Sequence, residues 1–331
     1  MRNRFTTFRR PAAFAAVVAF AATALSACSS GSATGSSGCA KQYTIGFSHP
    51  VGESEFAAAL KKQVTAAGVK QGCVKVLLDN TQASNLESQR ATIESWMAQK
   101  ADAIVVLAVD ATALDGLREQ AQAQGTKWLT YAGGTKTSDG SVGFDNVQSG
   151  DLVAKDAIAW WKKTYPQGGV TAEVTTLTPL VGFKGRWEEP LKQFSAAGLD
   201  VVSKQDCADQ ECGLQITEDA LRQHPNLRVV VGINDDAAIG ALKAFTNKGI
   251  DPSKVYIAGQ DGTREGLEAV KAAGAYRSSA AILIPDLAKS IIDNSIAAIT
   301  GKGSTDYETP VVLATARDPK QLDQLIQQYG K

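Results

Sequence analysis

The sequence predicts an α/β protein built as two similar, doubly wound lobes. Short β-branched runs alternate with helical apolar patterns from Tyr43 onward, the signature of parallel strands flanked by helices. About nine such units are present, more than one small doubly wound sheet usually holds.

In chain order the strand candidates are Tyr43–Phe47, Val74–Leu78, Ala103–Ala108, Trp128–Tyr131, Val170–Leu177, Val201–Lys204, Val229–Ile233, Val255–Ala258 and Ser279–Ile284. Between them, Ser84–Gln99 sets Leu86, Ile93, Trp96 and Met97 on one helical face, and Ile239, Leu242 and Phe245 line another after Asp235. Gly68, Gly125, Gly198, Gly249 and Gly274 each read as a helix C-cap, where the left-handed conformation favours glycine.

The head of the chain has a different character. Arg2, Arg4, Arg9 and Arg10 precede the uncharged run Pro11–Leu25, a basic region followed by an apolar stretch, as in an export signal. That run is shorter than the roughly 20 apolar residues of a comfortable transmembrane helix. Leu25-Ser26-Ala27-Cys28 resembles the bacterial lipobox, which implies a lipidated Cys28 as mature N-terminus and residues 1–27 as signal peptide. Residues 28–40, dominated by serine, glycine and alanine, read as a flexible tether. An extracytoplasmic protein anchored to the outer face of the cell membrane is expected.

Composition narrows the function further. The chain of 331 residues carries 34 basic and 34 acidic side chains. Without the four leading arginines the balance turns mildly acidic, which leaves no electrostatic footprint for nucleic acid. Cys39, Cys73, Cys207 and Cys212 form an even set in an exported chain, so disulfides are expected. Cys39 precedes the first strand candidate and Cys73 abuts the second, which favours that pair; Cys207 and Cys212 flank four residues and would staple a loop. A zinc site is not expected, since no Cys-x-x-Cys spacing exists and His49 and His224 lie far apart. No cofactor is expected either.

The runs Val231-Gly-Ile-Asn234-Asp235-Asp236-Ala-Ala-Ile-Gly240 and Ala258-Gly-Gln-Asp261-Gly262-Thr263 resemble the ribose-binding branch of the type I periplasmic binding proteins. So do Ile45-Gly-Phe47 followed by Phe56 and Leu60-Lys61, with partial matches at Ala101–Val106, Gly143–Asn146 and Gly185-Arg186. The resemblance implies two lobes joined by a three-strand hinge, one from 41–144 plus 284–309 and the other from 145–283 plus 310–331. It implies crossings near Gly143–Asn146, Ile282–Pro285 and Thr309–Val311, and closure on ligand as a hinged clamp.

Position by position, the resemblance makes Asp261 an acceptor for two ligand hydroxyls, Asn234 a pairing amide, Arg186 a forked donor and Phe56 a stacking ring. Asp110, Tyr131, His49 and Glu53 complete the candidate ligand-binding set from the first lobe. Helix capping is the alternative for Asp261, Asn234 and Asp110, since each lies at a strand end before a helix, and core packing for Phe56. The sequence departs from the family where relatives carry Asp-Arg and here Tyr131-Ala132 stands, and where Leu283 replaces a glutamine. These changes argue against a furanose specialist and leave another pentose, a hexose or an acyclic polyol.

The function implied is capture of a small carbohydrate and its delivery to the permease of an ABC importer, by a monomer held to the membrane by its lipid. Signalling of ligand occupancy to a membrane sensor is the alternative. The repressors sharing this fold carry a DNA-binding helix pair where this chain has its leader. An enzyme is not expected: no Gly-x-Ser-x-Gly elbow, His-Glu-x-x-His or phosphate loop is present.

Overall fold

A computed structural model describes residues 41–50, 54–80, 85–110, 112–133 and 137–330. The first half runs β1 (Tyr43–Ser48), α1 (Glu55–Gln71), β2 (Val74–Leu78), α2 (Leu86–Ala98), β3 (Ala103–Val106), α3 (Asp115–Ala123), β4 (Lys127–Tyr131) and β5 (Gly140–Phe144). It continues with α4 (Asn146–Thr164), β6 (Thr171–Thr176), α5 (Gly185–Ala197), β7 (Asp200–Asp206), α6 (Gln210–Gln223), β8 (Leu227–Val231) and α7 (Asp235–Asn247). The remainder is β9 (Tyr256–Asp261), α8 (Arg264–Lys271), β10 (Tyr276–Ile282), α9 (Ile284–Thr300), β11 (Asp306–Thr309), β12 (Val311–Thr315) and α10 (Pro319–Gln327).

These strands form two six-stranded sheets, ordered β11-β5-β4-β3-β1-β2 and β12-β10-β9-β8-β6-β7. The orders are equivalent, each reversing direction beside its first strand, β1 or β6, which is the doubly wound pattern. All pairings are parallel except β10 with β12. Covered by helices, the central strands are buried on both faces; β3 is accordingly an apolar run, and β8 is one apart from the partly exposed Arg228.

The chain passes between sheets at Asp145, Leu283 and Pro310. After Asp145, α4 packs on β9, β10 and β12; after Leu283, α9 returns to α1, β3 and β5. Two crossings are tied together, because Asp145 N–H donates to Thr309 O and Val311 N–H donates to Gln148 Oε1, at 3.4 and 3.0 Å. Away from the crossings, Arg264 of α8 meets Glu55 of α1 at 3.5 Å, and Gln63 Nε2 donates to Gln328 O at 2.8 Å.

Two glycine expectations need correction. Gly68 lies inside α1 rather than at its end, and a Cβ there would come within 2.6 Å of Val76 Cγ2, so it is small to let the helix approach β2. Gly72 takes the left-handed cap, at φ 88°. After α8 the left-handed residue is Ala273, at φ 54°, and not Gly274. Gly198 caps α5 at φ 80°.

Cys207 and Cys212 are joined by a disulfide. Cys73 is also disulfide-bonded. Cys39 and Cys28 lie outside the described residues. Among the described residues no helix is long and apolar enough to cross a membrane, and no cluster of ligating side chains could hold a metal ion.

Candidate ligand-binding site

Where the carboxyl ends of both sheets meet, a cavity of about 100 Å³ is lined from both lobes. Pockets for drug-sized ligands span roughly 300–1,000 Å³, so this one suits a very small solute. The first lobe contributes His49, Ser54, Phe56, Leu107, Tyr131 and Phe144, and the second Arg186, Asn234, Asp236 and Asp261 among others.

Arg186 is the best-anchored of these residues. It stands in the first turn of α5 and is 2% exposed. Its Nε donates to Asn146 Oδ1 at 2.8 Å, and Nη1 donates to Ile233 O at 3.1 Å and Asp261 Oδ1 at 2.6 Å. The guanidinium also lies over the rings of Phe144 and Phe183, at 4.8 and 5.3 Å. Pro190, one turn on, has no N–H to give Arg186 its helical hydrogen bond. Gln260 Nε2 donates to that carbonyl instead, at 3.1 Å, while its Oε1 accepts from Ser149 Oγ at 2.7 Å. Every part of Arg186 is thus fixed except Nη2, which has no partner.

Asp261 ends β9 with φ 109°, a conformation costly for any residue but glycine. Such strain persists where the surroundings over-determine it; here the ion pair with Arg186, the ladder to Ala281, and the Gly262 N–H bond to Ser279 Oγ do so. Burial raises the Asp261 pKa, and the Arg186 charge and hydrogen bond oppose that shift. The helix cap that follows is Thr263, so Asp261 does not serve as the cap. Behind it, buried Asp235 accepts from Thr263 N–H and Oγ1, Tyr276 Oη and Ser279 Oγ. Burial, and then the charge of Asp261, push the Asp235 pKa up to about 7.

In the first lobe, Tyr131 ends β4, the strand equivalent to β9, and Ala132 after it is also left-handed, at φ 54°. The Tyr131 hydroxyl is buried without a partner, as is His49 Nδ1. Their rings meet edge-on at 5.3 Å. Burial, followed by the charge of Lys61, lowers the His49 pKa to about 4, so the imidazole is neutral at physiological pH. Burial first, and Asp261 second, raise the Tyr131 pKa. Tyr131 packs edge-on against Phe144 at 6.0 Å, and Phe144 against Phe183 at 5.9 Å, so an aromatic line crosses from lobe to lobe. The backbones close up there too, since a Cβ on Gly182 would collide with Ala132 O.

Other candidates from the sequence divide. Phe56 lines the cavity while 6% exposed, so ring and core roles coincide. Asn234 lines it but is also the N-cap of α7, with Oδ1 accepting from Ala237 N–H and Nδ2 donating to Ala208 O. Asp110 is not brought in: it is exposed, outside the lining, and its carboxylate accepts from Thr112 N–H, Thr112 Oγ1 and Ala113 N–H. A short polar side chain at a turn satisfies its own backbone first. Glu53 lies outside the described residues. Sequence reasoning missed the apolar lining, notably Leu177, Leu180 and Phe183 after β6, and Asp236 beside Asn234. Apolar residues clustered in a loop after a strand were the available signal.

Two equivalent α/β lobes, three crossings and a polar cleft at the strand ends define a two-lobed solute-binding protein. The chain belongs to the periplasmic binding protein family, whose domain model matches residues 45–303. It is 28% identical over 241 residues to the ribose import binding protein of Bacillus subtilis, covering 71% of this chain and 75% of that one. A myo-inositol-binding protein from Caulobacter, solved with myo-inositol, superposes with a TM-score of 0.75 at 23% identity, over 87% of this chain and 98% of the other. A solute-binding protein from Actinobacillus succinogenes with bound D-allose gives 0.75 at 21%, over 85% and 100%.

Proposed function

We propose that this chain is an extracytoplasmic binding lipoprotein that captures one small carbohydrate, a monosaccharide or sugar alcohol, and delivers it to the permease of an ABC importer. The observation that carries the reading is that three residues lining one cavity each hold a buried polar atom with no hydrogen-bond partner: His49 (Nδ1) and Tyr131 (Oη) from the first lobe, and Arg186 (Nη2) from the second. Buried polar atoms without partners are costly, and a ligand rich in hydroxyls supplies both donors and acceptors. Asp261 adds a carboxylate oxygen, and Phe56 and Phe183 offer ring faces for C–H surfaces. The relatives that bind ribose, myo-inositol and D-allose support the same class of ligand.

Export and anchoring rest on the leader and on Cys28, and the chain acts as a monomer with no nucleic-acid partner. A thermal-shift screen across pentoses, hexoses and polyols tests the reading. A ligand present at 100 times its dissociation constant stabilises the protein by about 2.7 kcal/mol. No shift with any carbohydrate, against a shift with another solute class, would overturn it.

A further inference from the structure

The polar groups of the cleft are unevenly placed, and this deepens the carbohydrate reading, on which the following rests. His49, Tyr131, Arg186 and Asp261 form one connected group: the two rings touch, the ion pair is direct, and the charges of Asp261 and Arg186 both act on the Tyr131 hydroxyl. The segment after β6 is different. It lines the cavity with Leu177, Leu180 and Phe183, and its one side-chain hydroxyl and three of its N–H groups are engaged elsewhere. Thr178 N–H donates to Asp206 Oδ1 at 2.9 Å and Thr178 Oγ1 to Asp206 Oδ2, which turns the one hydroxyl of this stretch away to β7. Pro179 has no N–H, Leu180 N–H donates to Leu177 O at 3.0 Å, and Phe183 N–H donates to Leu180 O at 2.9 Å. Leu107 and Ile233 add further apolar lining, Ser54 caps α1, Asn234 caps α7 through Oδ1 and donates Nδ2 to Ala208 O, and the Asp236 carboxylate beside it accepts from Gln210 Nε2 at 3.4 Å.

A hydroxyl directed at this wall loses its water and gains no partner, whereas a methyl or methylene group there is simply buried. We infer that the ligand is a monosaccharide with a deoxygenated edge, its hydroxyls held by the His49–Tyr131–Arg186–Asp261 group and its methyl or methylene edge set against Leu177, Leu180 and Phe183. The wall selects against the fully hydroxylated parent sugar by roughly tenfold to a hundredfold.

Calorimetric titration of the wild-type protein with matched pairs tests this: D-fucose with D-galactose, L-rhamnose with L-mannose, L-fucose with L-galactose, and 2-deoxy-D-ribose with D-ribose. In the pair that binds best, the deoxy sugar binds at least tenfold tighter, and Leu180→Asn narrows that ratio by giving the hydroxyl a partner. Parent sugars binding as tightly as or more tightly than their deoxy partners in every pair would overturn the inference while leaving the carbohydrate reading intact. If no sugar of any pair and no polyol binds, the carbohydrate reading fails and this inference falls with it.

Discussion

Arg186 Nη1 lies 2.6 Å from Asp261 Oδ1, a contact between a guanidinium that is 2% exposed and a carboxylate that is 16% exposed. The pair sets how each partner can be probed. Removing one member of a buried pair leaves the other charge uncompensated. Asp261→Ala therefore lowers both ligand affinity, by about tenfold to a hundredfold, and the melting temperature of the unliganded protein. Asp261→Gly loses the same carboxylate but relieves the strained φ, so it melts above Asp261→Ala, by about 1 kcal/mol or more in stability. Thermal denaturation of the two variants side by side checks the order.

Arg186→Lys does not rescue binding. A lysine keeps the charge but cannot reach Asn146, Ile233 and Asp261 together while presenting a free donor to the cleft. Affinity for the best ligand of a screen falls at least tenfold by calorimetry.

Glu173, buried on β6, accepts from Thr217 Oγ1, and burial raises its pKa from 4.5 to about 7. An acid whose folded pKa lies above its unfolded one favours folding below the unfolded value, and that contribution is lost as pH rises through the folded value. Glu173→Gln is therefore more stable than wild type at pH 8, by about 3 kcal/mol at most, and the advantage disappears below about pH 4.5. Denaturant unfolding at pH 4 and pH 8 measures it.

The disulfide Cys207–Cys212 closes a short loop that holds Ala208, whose carbonyl accepts from Asn234 Nδ2 at 2.8 Å. A double serine variant loses about 2 kcal/mol of global stability, the amount expected for so small a loop. It also has a local effect: ligand affinity falls several-fold, because one wall of the cavity is no longer held. Calorimetry alongside thermal denaturation separates the two effects.

Much of the fold can be read from the sequence because most of the nine legible strands are short apolar runs alternating with helices, and the central ones are buried on both faces of their sheets. The three that escape have physical reasons. β5 is buried, but two of its five residues are glycines, which weakens its apolar signal, and β11 (Asp-Tyr-Glu-Thr) is a largely exposed sheet edge. β12 follows Pro310 directly and runs antiparallel at an edge of the second sheet, outside the βα rhythm. At the site, Arg186 and Asp261 stand in motifs whose register singles them out, whereas Leu177, Leu180 and Phe183 carry no mark distinguishing a cleft wall from core. Asp110 shows the converse: an acid after a strand is also what a turn uses to satisfy its own backbone.

The central claim is that one ligand is gripped from both lobes, and Tyr131→Phe tests it most directly. The substitution removes only a buried hydroxyl that has no hydrogen-bond partner within the protein. The expected result is a melting temperature for the unliganded protein equal to or above that of wild type, with affinity for the best carbohydrate of the screen reduced about tenfold. Undiminished affinity would contradict the account, because ligand would then be held without the first lobe's hydroxyl.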